Sequence, residues 1–276
     1  MKKYNQAPLP FMGQKRKFLK QFKEKLQACP ADGLYVDLFG GSGLLSRTVK
    51  DLYPNAKVVY NDFDNYRNRI KAIPGTNALI ADIRILVAGL PKDKAIPIPI
   101  KDEILKRIKQ DDECYAVDYI TLSANLLFSM NYAISYVTLA KQPFYNVVRS
   151  GEYDAADYLE GLKIVSMDYL KLFEKYKKES NVIFLVDPPY LSTEAGSYKG
   201  NYWKLADYLN VLTVLNNHAY FYFTSNKSHI VELCNWMSTQ TNYVNPFVGA
   251  FTSTTHQQMN YSSSYTDIML FKTVSL

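Results

Sequence analysis

One tetrapeptide in this chain has the composition to grip an aromatic amine: Asp187-Pro188-Pro189-Tyr190, directly after the apolar run Val182–Val186. By average residue usage it should occur by chance in on the order of one in several hundred chains of this length. As bare structure, a double proline ends a strand and an aspartate caps a turn. As chemistry, the Asp187 carboxylate and the Pro188 carbonyl can each accept one hydrogen of an exocyclic amino group. Such a nitrogen is a poor nucleophile because its lone pair is delocalised into the ring, and holding both hydrogens aims that lone pair at an electrophile. The prolines stiffen the turn, and the Tyr190 ring offers a face for stacking.

A second group lies far upstream. Asp37-Leu38-Phe39-Gly40-Gly41-Ser42-Gly43 leaves an apolar run and opens a helical pattern. Glycines let the backbone turn tightly and approach a ligand. By itself such a turn could cradle a phosphate, a nucleoside or a carboxylate, or be only a tight turn. Val58-Val59-Tyr60-Asn61-Asp62 then ends in an acid nineteen positions after Gly43. A carboxylate there is placed to accept both protons of a ribose diol, and no basic residue follows to balance a 2′-phosphate. Together they predict an adenosine-containing ligand, and the loop departs from the GxGxxG of dinucleotide sites.

The elements that must position these groups are legible as alternating patterns. Strands are predicted at Leu34–Phe39, Lys57–Tyr60, Lys163–Met167, Val182–Val186, Ala219–Thr224 and Thr266–Lys272, all read as buried and parallel. Helices are predicted at Lys15–Gln27, Leu44–Leu52, Tyr66–Ala72, Tyr169–Lys178 and Trp203–Asn216. This is an α/β layer fold with ligands at the carboxyl ends of its strands. The alternation breaks from about Ile85 to Leu159, a stretch too long for a connection and carrying its own helical periodicity. The expected organisation is a catalytic domain of 1–84 and 160–276 with an inserted, mostly helical subdomain, 85–159.

In these motifs and their order the chain resembles the Dam-type (D12 class) DNA adenine N6-methyltransferases, where the glycine motif precedes DPPY. The resemblance covers most of the chain outside the insert. It implies a class I S-adenosylmethionine-dependent methyltransferase fold, Rossmann-like with a mixed, mostly parallel sheet. It implies S-adenosylmethionine as cofactor and double-stranded DNA as partner, with the insert as target-recognition subdomain. Pro10–Lys15 resembles the family's N-terminal motif, so Phe11, Gly13 and Lys15 join Asp37, Phe39, Gly41, Gly43 and Asp62 as cofactor-binding candidates. Asp168 and Tyr169 match the pair assigned to the cofactor's adenine ring, with Asp82 as rival for the acid. Asp187 serves both cofactor and catalysis, beside Pro188, Pro189 and Tyr190. Ser225-Asn226 resembles the small motif behind the active site. Two departures stand out: Ser129–Phe144 is aromatic and nearly uncharged where the family carries an Asn/Gly/Arg-rich hairpin, and Thr252–Tyr265 is Ser/Thr/Tyr/Gln-rich where a basic loop is expected.

Composition bounds the remaining classes. The net charge of +6 suits a polyanionic partner without revealing one. Three scattered cysteines and three dispersed histidines offer neither a disulfide framework nor a metal site. No apolar run is long enough for a bilayer and the basic N-terminus is unlike a signal peptide, so a cytoplasmic protein of bacterial or phage type, a monomer or weak dimer, is expected. Candidate phosphate contacts are Lys101, Lys106, Arg107, Lys109, Lys141, Arg149, Lys199 and Lys227, each a solvated surface charge in the plainer view. Site-specific DNA methylation would suit a restriction-modification system. The competing readings are methylation of RNA adenine or a protein amide, and a catalytically silent cofactor-binding module.

Overall fold

The computed structural model describes residues 2–114, 116–128, 131–190, 203–240, 242–260 and 263–273, and every structural statement refers to these. The chain forms two compact units, one of Met1–Gln6, Gln14–Asp64 and Leu159–Leu276, the other of Ala7–Gly13 and Asn65–Tyr158.

The first unit opens with a 3-10 turn, Arg16–Phe18, running into α1 (Leu19–Leu26), then β1 (Leu34–Asp37), α2 (Leu44–Leu52) and β2 (Lys57–Asn61). The second unit follows with α3 (Tyr66–Lys71), α4 (Ile73–Leu86), α5 (Ile98–Asp112), α6 (Tyr119–Leu126) and α7 (Tyr136–Ala140). The chain then completes the first unit with β3 (Lys163–Val165), α8 (Tyr169–Tyr176), β4 (Val182–Val186), α9 (Leu205–Leu215) and β5 (Ala219–Ser225). Last come α10 (Ile230–Gln240), β6 (Phe251–Asn260) and β7 (Ser263–Lys272).

Seven strands make one mixed sheet in the order β3-β2-β1-β4-β5-β7-β6. The first five are parallel neighbours, while β7 runs antiparallel to both β5 and β6. All five residues of β4 are buried, as expected for a parallel strand covered on both faces. Its side chains divide by the period of two. Val182, Phe184 and Val186 enter a core with Leu172, Val211 and Leu215, whereas Ile183 and Leu185 enter the opposite one with Phe18, Phe22 and Leu26. There Phe22 of α1 packs on Phe221 (4.7 Å between ring centroids) and Phe18 of the preceding 3-10 turn on Phe223 (5.7 Å).

Three expectations need correction. The terminal strand is antiparallel, because β6 and β7 form a hairpin and a hairpin reverses direction without a crossover. The polar Thr252–Tyr265 stretch, which stands where the family carries a basic loop and for which no strand was expected, contributes Thr252–Asn260 to β6 and Ser263–Tyr265 to β7; as a sheet edge with one neighbour, β6 tolerates the polar sequence that hid it. Helix α10 was also not anticipated. In the second unit, α4 crosses the Ile85 boundary drawn from sequence. Its Pro74 sits in the first helical turn, where its missing N–H is not needed. That unit is helical and holds a buried Arg69–Asp118 ion pair at 3.0 Å, with Arg69 also donating to the Pro10 carbonyl at 2.8 Å. Among the described residues no helix is long and apolar enough to cross a membrane.

Candidate active site

Strand order reverses between β1 and β4, which are adjacent in the sheet, with Asp37 paired in register to Leu185. Such a switch point opens a crevice at the carboxyl ends of the strands. The glycine turn follows β1 and Asp187–Tyr190 follows β4, so two motifs 144 positions apart in sequence flank the same switch point.

The glycine turn is built for close approach. Gly41 and Gly43 take left-handed φ of +48° and +73°, the second at the start of α2. A Cβ on Gly40 would lie 2.3 Å from the Tyr60 ring and 2.6 Å from the Asn61 carbonyl, so only glycine fits against β2. The Tyr60 hydroxyl is 2.8 Å from the Gly41 carbonyl and 3.1 Å from Asp62 Oδ1, tying the turn to the acid that ends β2. Asn61 clamps three strand ends: its amide donates to the Leu38 and Met167 carbonyls, both at 2.9 Å, and its oxygen accepts from the Met167 amide at 3.0 Å. Asp37 is buried and accepts from the Ser46 hydroxyl at 2.7 Å. Burial raises its carboxyl to about 7, Ser46 and the Phe39 amide working against that shift and Asp187 adding to it.

At the β4 end, the Lys15 amine lies 2.6 Å from Asp187 Oδ2, with the two side chains only 8% and 19% exposed. Burial raises the Asp187 carboxyl and Lys15 pulls it back, with a net upward shift. The same amine sits 5.2 Å from the Tyr190 ring centroid and 5.9 Å from that of Phe223. Asp267 of β7, buried and in register with Ser225, completes the cluster. The Gln257 amide donates to it at 2.8 Å, and Lys17 donates in turn to the Gln257 carbonyl. Burial raises the Asp267 carboxyl against the pull of Lys15, Gln257 and the Tyr190 hydroxyl. Burial likewise holds the Tyr190 phenol well above its usual range, Asp187 and Asp267 reinforcing it.

At the end of β3 the arrangement differs. Asp168 is exposed and caps α8, accepting from the Leu170 and Lys171 amides at 3.0 and 3.1 Å. Tyr169 stacks on Trp203 (5.6 Å, 26°) and meets Phe39 at 4.8 Å, and Trp203 also touches Phe39 at 5.7 Å. The structure thus brings together Lys15, Asp187 and Tyr190, and separately Phe39 and Tyr169. Asp62 is buried at the end of β2. Pro188 is buried and Pro189 half-buried within the same turn as Asp187. Phe11 and Gly13 belong to the second unit, where Phe11 meets Tyr66 edge-on at 5.7 Å and Gly13 has a φ of +82°. Ser225 is buried at the end of β5, and Asn226 accepts from the Thr266 amide at 2.9 Å.

Several basic candidates have structural tasks. Lys101 donates to the Ala140 and Gln142 carbonyls at 2.8 and 2.9 Å, closing the end of α7. Arg107 pairs with Asp82 at 2.8 Å and with Asp111, and Asp82 lies within α4. Arg149 stacks over Tyr153 at 3.9 Å and Lys227 over Tyr265 at 5.1 Å. Lys106, Lys109 and Lys141 are exposed, and Lys199 lies outside the described residues. Asp267, Asn61 and Trp203 were missed from sequence. Asn61 stands beside the ribose-type acid, and its place at a strand end was the available signal; for Asp267 there was none. Among the described residues no group of metal-binding side chains gathers.

The chain is 40% identical over 244 residues, 86% of its length and 81% of the relative's, to a Haemophilus influenzae protein described as "Putative methyltransferase". No family model matches the chain.

Proposed function

The chain belongs to the methyltransferase family of that relative, and on this premise we propose that it transfers a methyl group from S-adenosylmethionine to N6 of an adenine extruded from double-stranded DNA, on a class I, Rossmann-like fold. The observation that carries this reading is the meeting of the glycine turn and the Asp187–Tyr190 turn at one switch point.

The residues present fit the cofactor. Asp62, buried at the end of β2, is placed for a ribose diol, and the left-handed Gly41 and Gly43 leave the turn without side chains to obstruct an approaching ligand. When bound, S-adenosylmethionine supplies an electrophilic sulfonium methyl. Asp187 and the Pro188 carbonyl hold the two amino hydrogens of adenine, with Lys15 holding the carboxylate through Oδ2. Tyr190 supplies the stacking face, because a base must leave the duplex for a buried pocket to reach it. An ordinary aspartate is a weak base at neutral pH. Burial raises the basicity of Asp187, so accepting the proton released from N6 falls to the same residue. The second unit is assigned to DNA recognition.

Transfer of labelled methyl groups from S-adenosylmethionine to DNA, RNA and protein tests the proposal. Label in adenine of DNA, mapped to a fixed site in cells expressing the chain, is the expected result. Label only in RNA or protein would move the substrate, and tight cofactor binding without transfer to any of them would favour a silent module.

A further inference from the structure

The longest stretch without formal charge belongs to none of the catalytic motifs. With histidine neutral, the 34 residues 233–266 carry no charged side chain, where the chain's 21% of Asp, Glu, Lys and Arg would place about seven. These residues build most of α10, the segment leading to β6, all of β6 and the start of β7. β6 closes the sheet order with β7 as its neighbour, and none of its residues 251–258 is buried. Edge strands usually carry a lysine, a proline or a bulge that discourages pairing with another chain. β6 has neither Lys nor Pro, and its register shift lies near the tip, between Gln258 and Asn260, so eight residues stay regular.

The period of two sorts the side chains of this edge. Phe251 and Gln257 take the face of α1, where Lys25 lies over the Phe251 ring at 3.8 Å and Lys17 bonds Gln257. Thr252, Thr254, His256 and Gln258 take the other face, that of Leu270 and α10, and all four are exposed. On α10, Trp236 is 60% exposed. The Asn245 amide donates to the Asn235 side chain at 2.7 Å, which brings the exposed Val244 to the neighbourhood of Trp236, and the chain then runs through the exposed Val248 into β6. An exposed apolar patch beside an unguarded edge marks an interaction site.

A partner recognised by charge finds nothing to read on this face. A second copy of the chain needs nothing of the kind. In a two-fold contact each residue meets its own counterpart or a symmetric neighbour, so a charged face repels itself, and a chain of net charge +6 meets that repulsion wherever its charged faces approach. We propose that β6 pairs antiparallel with β6 of a second copy, with α10 alongside, so that one sheet runs through a dimer. The inference stands apart from the methyl-transfer reading. Opposed residues of an antiparallel pair lie on one face, so a two-fold axis through the middle of the strand sets Thr254 opposite its own counterpart or opposite that of His256. Eight residues on each side supply on the order of eight backbone hydrogen bonds.

Sedimentation equilibrium of the full chain tests this directly. Wild type should form a dimer with a dissociation constant of about a micromolar. Thr254→Lys and Thr254→Glu each bring like charges together across the axis and should weaken the dimer by at least about ten-fold. An equimolar mixture of the two variants should associate about as tightly as wild type, because opposite charges then meet. Circular dichroism confirms that each variant is folded. Wild type that stays monomeric at about 100 μM overturns the inference and leaves this face to a different protein. A dimer that neither variant weakens places the contact elsewhere and overturns it too, as does a mixture that associates no better than either variant alone.

Discussion

Two turns in the first unit begin with the same kind of residue and end in different physics. After β3, Asp168-Tyr169 places an exposed acid on two helix amides; after β4, Asp187–Tyr190 places a largely buried acid on a lysine. Asp168 sits in water and satisfies donors that any cap could satisfy. Asp187 has lost most of its water and depends on Lys15, so its carboxyl is shifted upward by burial. An acid at a strand end is a site candidate by position, and becomes a chemically distinct one through desolvation and a specific partner.

The sharpest way to break this contrast is at Asp187. Asp187→Ala should lower methyl transfer by about a thousandfold and, by stranding the buried Lys15 ammonium, also cost about 3 kcal/mol of stability; near-normal turnover in a folded variant would remove Asp187 from the mechanism. Next in size, Lys15→Met should cost about 3 kcal/mol in urea unfolding at neutral pH, because it strands a buried carboxylate. That deficit should shrink on acidification. Without Lys15 the folded-state carboxyl lies further above its unfolded value, so the folded chain takes up a proton first and gains stability as pH falls. A deficit that is constant or grows toward low pH would contradict this.

Asp168→Ala should cost about 1 kcal/mol through loss of the α8 cap, whereas Asp168→Asn keeps the cap and should be nearly neutral. If the Asn variant is stable but binds S-adenosylmethionine more weakly, the exposed acid has a ligand role beyond capping, and the two turns are closer in function than their burial suggests. The smallest effect is expected at Tyr190. Its replacement by Phe should hold turnover within about three-fold of wild type because the stacking face remains, while Ala should lose considerably more. Equal kinetics in both variants would deny the ring its role.

Local chemistry was legible without coordinates wherever it is written in consecutive residues. Val182–Val186 and Leu44–Leu52 have the bounds their sequences suggest, because an apolar run before a double proline and an amphipathic run after glycines leave few alternatives. The glycine turn and Asp187–Tyr190 could be named for the same reason. Polar edge strands such as β6 were hidden, since one neighbour suffices for them and no apolar alternation is required. The partner of Asp187 was hidden too: sequence named Lys15 as a cofactor contact, and its ion pair with Asp187 is visible only in the structure.

The amino-acid sequence by itself thus determined the α/β alternation, the strand-end turns and the types of group they carry, all consequences of short-range propensity and spacing. Tertiary structure alone decided which charges share a dry environment. Lys15 meets Asp187 and Asp267 comes opposite Ser225 only in the folded sheet, and the free energy of a charge depends on what replaces its water, which no stretch of neighbouring residues specifies.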